Sequence, residues 1–225
     1  MTILNALQNI SDAEASYYLK KYYGLLQPID DSPGPYTGAY FESIDIDVAE
    51  DTPNRITGSD LYTLTTLQIT VRRDGGFGIL TYEREAIVSL LQKIPDEPIE
   101  DLSPEAYEQY LGRSSPAQEL WNLLTRTGTE KPKWGIGSTT ASKIMARKRP
   151  HLIPIQDRIV DDVIGRDRQN AWELWWQTLT ENPTLVERAK TLREHTIDPL
   201  GIRPELSTLR VFDVVLWMHG KEQKA

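Results

Sequence analysis

Two features between Trp134 and Asp157 could do chemistry. Gly135-Ile136-Gly137 has the composition of a tight turn, where glycine serves a positive φ or the close approach of another backbone. Ser138 or Thr139 follows and can cap a helix running to about Arg147. The free amides of a helix start, at the positive end of its dipole, make a ready anion site. A phosphate diester is the obvious anion. The second feature is Asp157, the only carboxylate between Lys131 and Arg158.

Charge is distributed unevenly. The net charge of the 225 residues is -8, which disfavours general adhesion to nucleic acid. From Lys131 to Arg158, however, seven basic residues face one acid, a local +6 that leaves −14 for the remainder. Such an island is compatible with a local footprint on a polyanion. It equally fits a solvated helix end, because cations favour helix C-termini.

Composition excludes several classes. There is no cysteine, so disulfides and thiolate metal sites are out, as a reducing cytoplasm would allow. His151, His195 and His219 lie too far apart for ligand spacing. No apolar run reaches the length of a membrane span, and no signal peptide is visible after Met1. The length suits one domain of two lobes over 1–225.

The elements that must position these residues read as mainly α. Ser11-Asp12-Ala13-Glu14 is a capping box opening a helix to about Tyr23, with Tyr17, Tyr18, Tyr22 and Tyr23 crowded on it as core rather than as a base platform. Residues 27–38 are a Pro/Gly/Asp loop, and the aromatic run from Tyr36 to Phe41 could line a pocket. The acids Asp45, Asp47, Glu50 and Asp51 could hold a cation but read better as a solvated strand or loop edge. A helix from Ser59 carries Leu61, Leu64 and Leu67. Asp74-Gly75 is a hairpin signal, so a small β-hairpin is expected there. The glycines around it could also cradle phosphate, but no Gly-Lys-Ser/Thr follows, which rules out a Walker-type site. A helix over 83–94 precedes an acidic connector at 95–104, the expected lobe boundary. Ser103-Pro104 and Ser115-Pro116 each place proline just after a capping serine. A helix beginning after Asp157, a stripe of Trp172, Trp175, Trp176 and Leu179, a helix over 184–194 and an almost wholly apolar helix over 207–218 complete the chain. Inside that last helix Asp213 should pair with Arg210, one turn back.

The stretch Gly135-Ile136-Gly137-Ser138-Thr139-Thr140-Ala141 resembles the hairpin of the helix-hairpin-helix DNA glycosylase superfamily, in particular endonuclease III and the adenine glycosylases. The resemblance covers about 30 residues, with the helix-hairpin-helix region at about 116–164. In that family a helix, a proline-containing loop and an aspartate follow the hairpin. Here Asp157 stands 20 residues after Gly137, after an apolar run and before a helix. Thr139 occupies the place of the Schiff-base lysine of bifunctional members, and Lys133-Trp134 replaces the usual Leu-Pro. Lys143, one turn further on, is no assured substitute for that lysine. The resemblance therefore implies no lysine-dependent lyase. A second resemblance spans most of the chain and names no activity. Tyr36-Thr37-Gly38, the block from Ala141 to Pro150, and Leu209-Arg210 with Asp213–Met218 are similar to bacterial proteins classed as a domain of unknown function.

The first resemblance implies a monofunctional DNA N-glycosylase that takes a damaged or modified base out of the stack in double-stranded DNA. The amides of Gly135, Gly137 and Thr139 would grip phosphate, helped by Lys133 and Lys143. Ile136, Ser138, Thr140, Arg147 and Lys148 would complete the DNA-binding surface. Asp157 would stabilise positive charge on the sugar and activate water, as carboxylates do in glycoside hydrolysis. Asp157 lies, on this expectation, at a cleft between the hairpin half and the half made by the first and last helices. No cofactor is expected beyond a monovalent cation that the hairpin could hold. The alternative is a catalytically silent helix-hairpin-helix module that binds DNA or a protein through the same hairpin, with Asp157 a plain helix cap.

Overall fold

A computed structural model describes residues 2–26, 35–167, 169–196 and 206–224, with the side chains of 194–196 excepted. Most of the predicted loop at 27–38, and His195, lie outside the described residues and side chains. The protein is mainly α, with no strand among the described residues. The helices are α1 (Ile3–Gln8), α2 (Asp12–Tyr22), α3 (Ile46–Asp51), α4 (Gly58–Thr63), α5 (Arg73–Phe77) and α6 (Arg84–Leu91). Then come α7 (Pro104–Leu111), α8 (Pro116–Thr125), α9 (Ser138–Lys148), α10 (Arg158–Ile164), α11 (Ala171–Glu181), α12 (Pro183–Thr196) and α13 (Thr208–Glu222).

They form two compact units. The first comprises Met1–Ala39, Pro98–Asp101 and Pro154–Ala225; the second comprises Tyr40–Glu97 and Leu102–Ile153. The acidic connector is thus no simple lobe boundary. Residues 98–101 belong with the first and last helices, because Ile99 is fully buried there and the short turn Ile99–Asp101 packs on α11. The second unit opens at 39/40 and closes at 153/154, interrupted only by residues 98–101, so it is an insertion into the first. The expected helix-hairpin-helix region, 116–164, runs across the later of these changes.

In the first unit α13 is the centre, buried on almost every side from Leu209 to Met218, as its apolar run requires. It packs on α2, α10 and α12. Gly220 lets α10 come close: a Cβ there would meet Val163 at 2.5 Å and Ile159 at 2.7 Å. Arg210 pairs with Asp213 at 2.6 Å and also donates to the Tyr22 hydroxyl and the Gly38 carbonyl. A buried charge pair needs such complete hydrogen bonding to offset its desolvation. Arg188 on α12 binds the carbonyls of Leu7 and Ile10 and the Asp12 carboxylate, satisfying the open end of α1.

In the second unit α9 is the buried helix, with every residue from Ala141 to Lys148 inside. Serine caps with proline at the first helical turn start α7 and α8 as expected. The Leu61/Leu64 stripe spans the end of α4 and a 3₁₀ turn over Leu64–Leu67; three-residue spacing lines up side chains in such a turn. The acidic run forms the exposed helix α3, neither strand nor loop edge. Asp74-Gly75 makes no β-hairpin: it lies in α5, which runs into a π-helical turn over Gly78–Tyr82.

Candidate functional site

The segment 134–137 rests on the glycines of α5 and the π-helical turn. Trp134 and Ile136 are buried, at 6% and 5% exposure, and flank Gly135. A Cβ on Gly78 would sit 1.7 Å from the Trp134 ring, and one on Gly75 would lie 3.0 Å from the Trp134 carbonyl oxygen and 3.2 Å from Ile136. The Gly-Gly-x-Gly run from 75 to 78 is therefore a seat for the segment 134–136. The Trp134 indole N–H donates to the Leu124 carbonyl, and the Arg126 guanidinium lies 3.7 Å from the ring centroid. Arg126 is held in turn by Glu83 at 2.8 Å, and Lys131 joins the same carboxylate at 2.6 Å. These two cations keep the Glu83 carboxyl below its ordinary pKa, chiefly through the Lys131 hydrogen bond and then through Arg126.

The exposed surface of the hairpin is small. Gly135 has φ +79°, a conformation natural to glycine. Gly137 occupies the cap position of α9, so the helix starts at Ser138 and neither Ser138 nor Thr139 caps it. No side chain caps α9, nor α3, α5 or α6, whereas α1, α2, α4, α7, α8, α10, α11 and α13 each have one. Gly135, Gly137 and Ser138 are exposed, and Thr139 and Thr140 are half-buried. A Cβ on Gly137 would meet nothing within 4 Å. Arg72 is exposed and runs beside Gly135. Lys133 is exposed, and its ammonium donates to the Arg126 carbonyl at 2.6 Å, at the C-terminal end of α8. Phe77 and Tyr82, on the segment that seats the hairpin, are 57% and 80% exposed.

Four of the seven cations of the basic island do not lie on this surface. Lys143, Arg147, Lys148 and Arg149 are all buried. Lys143 donates to the Leu67 carbonyl. Arg147 donates to the carbonyls of Phe41 and Ile44, and both Arg147 and Lys148 approach Asp60, at 3.4 and 3.1 Å. Arg149 donates to the carbonyls of Leu91, Ile94 and Pro53 and to the Asn54 side chain. Burial lowers the pKa of Lys148, with Asp60 opposing the shift. Neither expected reading of the island, as a phosphate footprint or as a solvated helix end, describes its buried part. Arg147, Lys148 and Arg149 form an internal clasp that ties three separate stretches of the second unit to the end of α9. Lys143, Arg147 and Lys148 are thereby corrected from DNA contacts to core residues, and Ile136 from a contact to an anchor. The partner that defines the clasp, Asp60, carried no signal in sequence beyond its place in a capping box with Thr57.

Asp157 belongs to the first unit and is half-buried. It caps α10, its Oδ1 accepting the Ile159 amide at 3.0 Å. Its neighbour Arg158 is exposed, and Arg166 is engaged by Asp161 at 2.5 Å. Among the described residues no group of three or more His, Asp or Glu is placed to hold a metal ion, and no helix is long and apolar enough to cross a membrane.

By fold and site this is a mainly α protein with a glycine-bearing segment before α9 seated on a second glycine-rich segment, and a capping aspartate on a separate helix. The chain belongs to a family of unknown function, DUF6308, whose model matches residues 15–220. None of the curated proteins and none of the solved structures matches it.

Proposed function

We propose that the protein binds double-stranded DNA through the hairpin 135–140 and acts on it as a monofunctional N-glycosylase. The observation that carries this reading is the glycine-flanked start of α9. Gly135 takes a left-handed conformation, Gly137 leaves open space before it, and α9 starts there with no side-chain cap. Amides left open at the positive end of an eleven-residue helix suit a phosphate oxygen. Lys133 and Arg72 add cations on the exposed side.

In the reaction, water adds to C1′ of the sugar as the C1′–N bond breaks, and the bond pair leaves with the base. Asp157 favours the cationic sugar over the neutral ground state, which is the condition for lowering the barrier. It also receives the proton that the water loses. With Thr139 in place of a Schiff-base lysine, the product is an intact abasic strand, cut only after alkali treatment.

The second reading is a binding module without chemistry. It is favoured by the hydrogen bond from the Ile159 amide to Asp157, which gives this carboxylate a structural role. Asp157→Asn separates the two, because asparagine retains the cap but not the charge. On the enzymatic reading, DNA affinity holds or rises while base release falls by orders of magnitude. Equal, zero release from the parent and the variant across a panel of lesion-bearing duplexes leaves only the binding module.

A further inference from the structure

The first unit contains an aromatic corner that the hairpin chemistry does not use. Tyr36 stacks on Tyr22 with ring centroids 5.6 Å apart and planes at 9°, so one face of Tyr36 is covered. Trp217 stands edge-on to both, at 5.5 Å and 85° from Tyr36 and 6.0 Å and 82° from Tyr22. The corner is fixed from behind. The Tyr36 amide donates to the Tyr22 carbonyl at 3.0 Å. The buried Arg210–Asp213 pair holds the Tyr22 hydroxyl and places the Arg210 guanidinium 5.4 Å from the Tyr22 ring. Tyr22 is buried, while Tyr36 and Trp217 are half-exposed, so the corner opens to solvent.

A cation already stands in it. The Lys221 ammonium lies 5.1 Å from the centroid of Tyr36 and 4.8 Å from that of Trp217. Ring faces attract cations through their quadrupole, tryptophan most strongly. Lys221 is exposed and forms no ion pair among the described residues. It reaches the corner from one turn beyond Trp217 on the same helix, whereas Tyr36 comes from a distant part of the chain. The walls are thus built by buried contacts that do not involve Lys221. A primary ammonium is a compact, strongly hydrated charge, and leaving a ring face for water costs it little. A methylated ammonium is the group that aromatic cages are used to recognise.

We propose that the corner of Tyr36 and Trp217 is a binding site for a methylated ammonium group, and that Lys221 occupies it until such a ligand displaces it. The indole N–H resonance of Trp217, identified by its loss in Trp217→Leu, is followed during titration with choline chloride at constant ionic strength. The expected result is a saturable shift, with half-saturation in Lys221→Ala at about one-tenth of the concentration the parent needs. Lys221→Gln should behave as Lys221→Ala does, and adding Tyr36→Leu should remove the shift. The uncharged carbon analogue 3,3-dimethyl-1-butanol should produce none. A trimethyl-lysine peptide titrated in parallel identifies the source: tighter peptide binding indicates a modified protein tail, and tighter choline binding a free small molecule. An equal response to the uncharged analogue overturns the proposal. So does the lack of a saturable shift in Lys221→Ala and Lys221→Gln when both melt at the parent's temperature.

Discussion

Asp60 is one residue whose removal should be felt across the whole second unit. It meets Arg147 and Lys148 inside the protein, and all three side chains are nearly inaccessible. Removing one partner of a buried charge cluster leaves the others uncompensated. Asp60→Asn should therefore cost about 3–5 kcal/mol, read as a lower urea midpoint at unchanged slope. Lys148→Ala should likewise lower stability and leave the salt dependence of DNA binding as it was. Glu83 offers a pH test beneath the hairpin. Its folded pKa is depressed by Lys131 and Arg126. The stability it contributes is present above the ordinary carboxylate pKa and is lost as pH falls through the depressed one. The stability gap between the parent and Glu83→Gln should accordingly be open at pH 7 and close in acid, measured by urea unfolding at both ends.

At the scale of elements, three glycines of the hairpin and its seat should separate fold from binding. Gly78→Ala would place a Cβ inside the Trp134 ring and should cost about 1–3 kcal/mol or more, because the tryptophan has to leave its seat. Gly135→Ala forces an alanine to φ +79°, with a strain of about 1–2 kcal/mol. At Gly137 an added Cβ meets no neighbour, so Gly137→Val should melt within a few degrees of the parent yet lose duplex binding, measured by fluorescence anisotropy. The same elements mark what could be read in the sequence. The capping box at Ser11, the Ser-Pro starts of α7 and α8, the Arg210–Asp213 pair and the buried last helix were legible because each depends on residues within a turn or two, or on one long apolar pattern. Asp157 was legible as a cap for the same reason. The fate of Asp74-Gly75 was not, because the space its glycines leave is filled by Trp134, about sixty residues away. Nor was the inward turn of Arg147, Lys148 and Arg149: three cations in a row belong to a surface until distant carbonyls and Asp60 close around them.

Taken whole, the molecule would offer DNA, on the proposed reading, fewer cations than its sequence suggests. With Lys143, Arg147, Lys148 and Arg149 inside, the hairpin surface is left with Lys133, Arg72 and their exposed neighbours. The slope of log K against log salt should therefore be shallow, about −2 to −4, corresponding to two to four phosphates. A slope near −7 would return the buried residues to the interface. The discontinuous first unit has a separate consequence, one for synthesis. The apolar side of α2 is covered by α13, and everything between them must leave the ribosome first. At the usual pace of 5–20 residues per second the nascent chain carries that sticky face uncovered for roughly 10–40 s. The inserted unit has all its parts as soon as Ile153 emerges and need not wait. Translation speed and chaperone supply should thus govern the yield of soluble protein more than they would for a chain whose units follow one another.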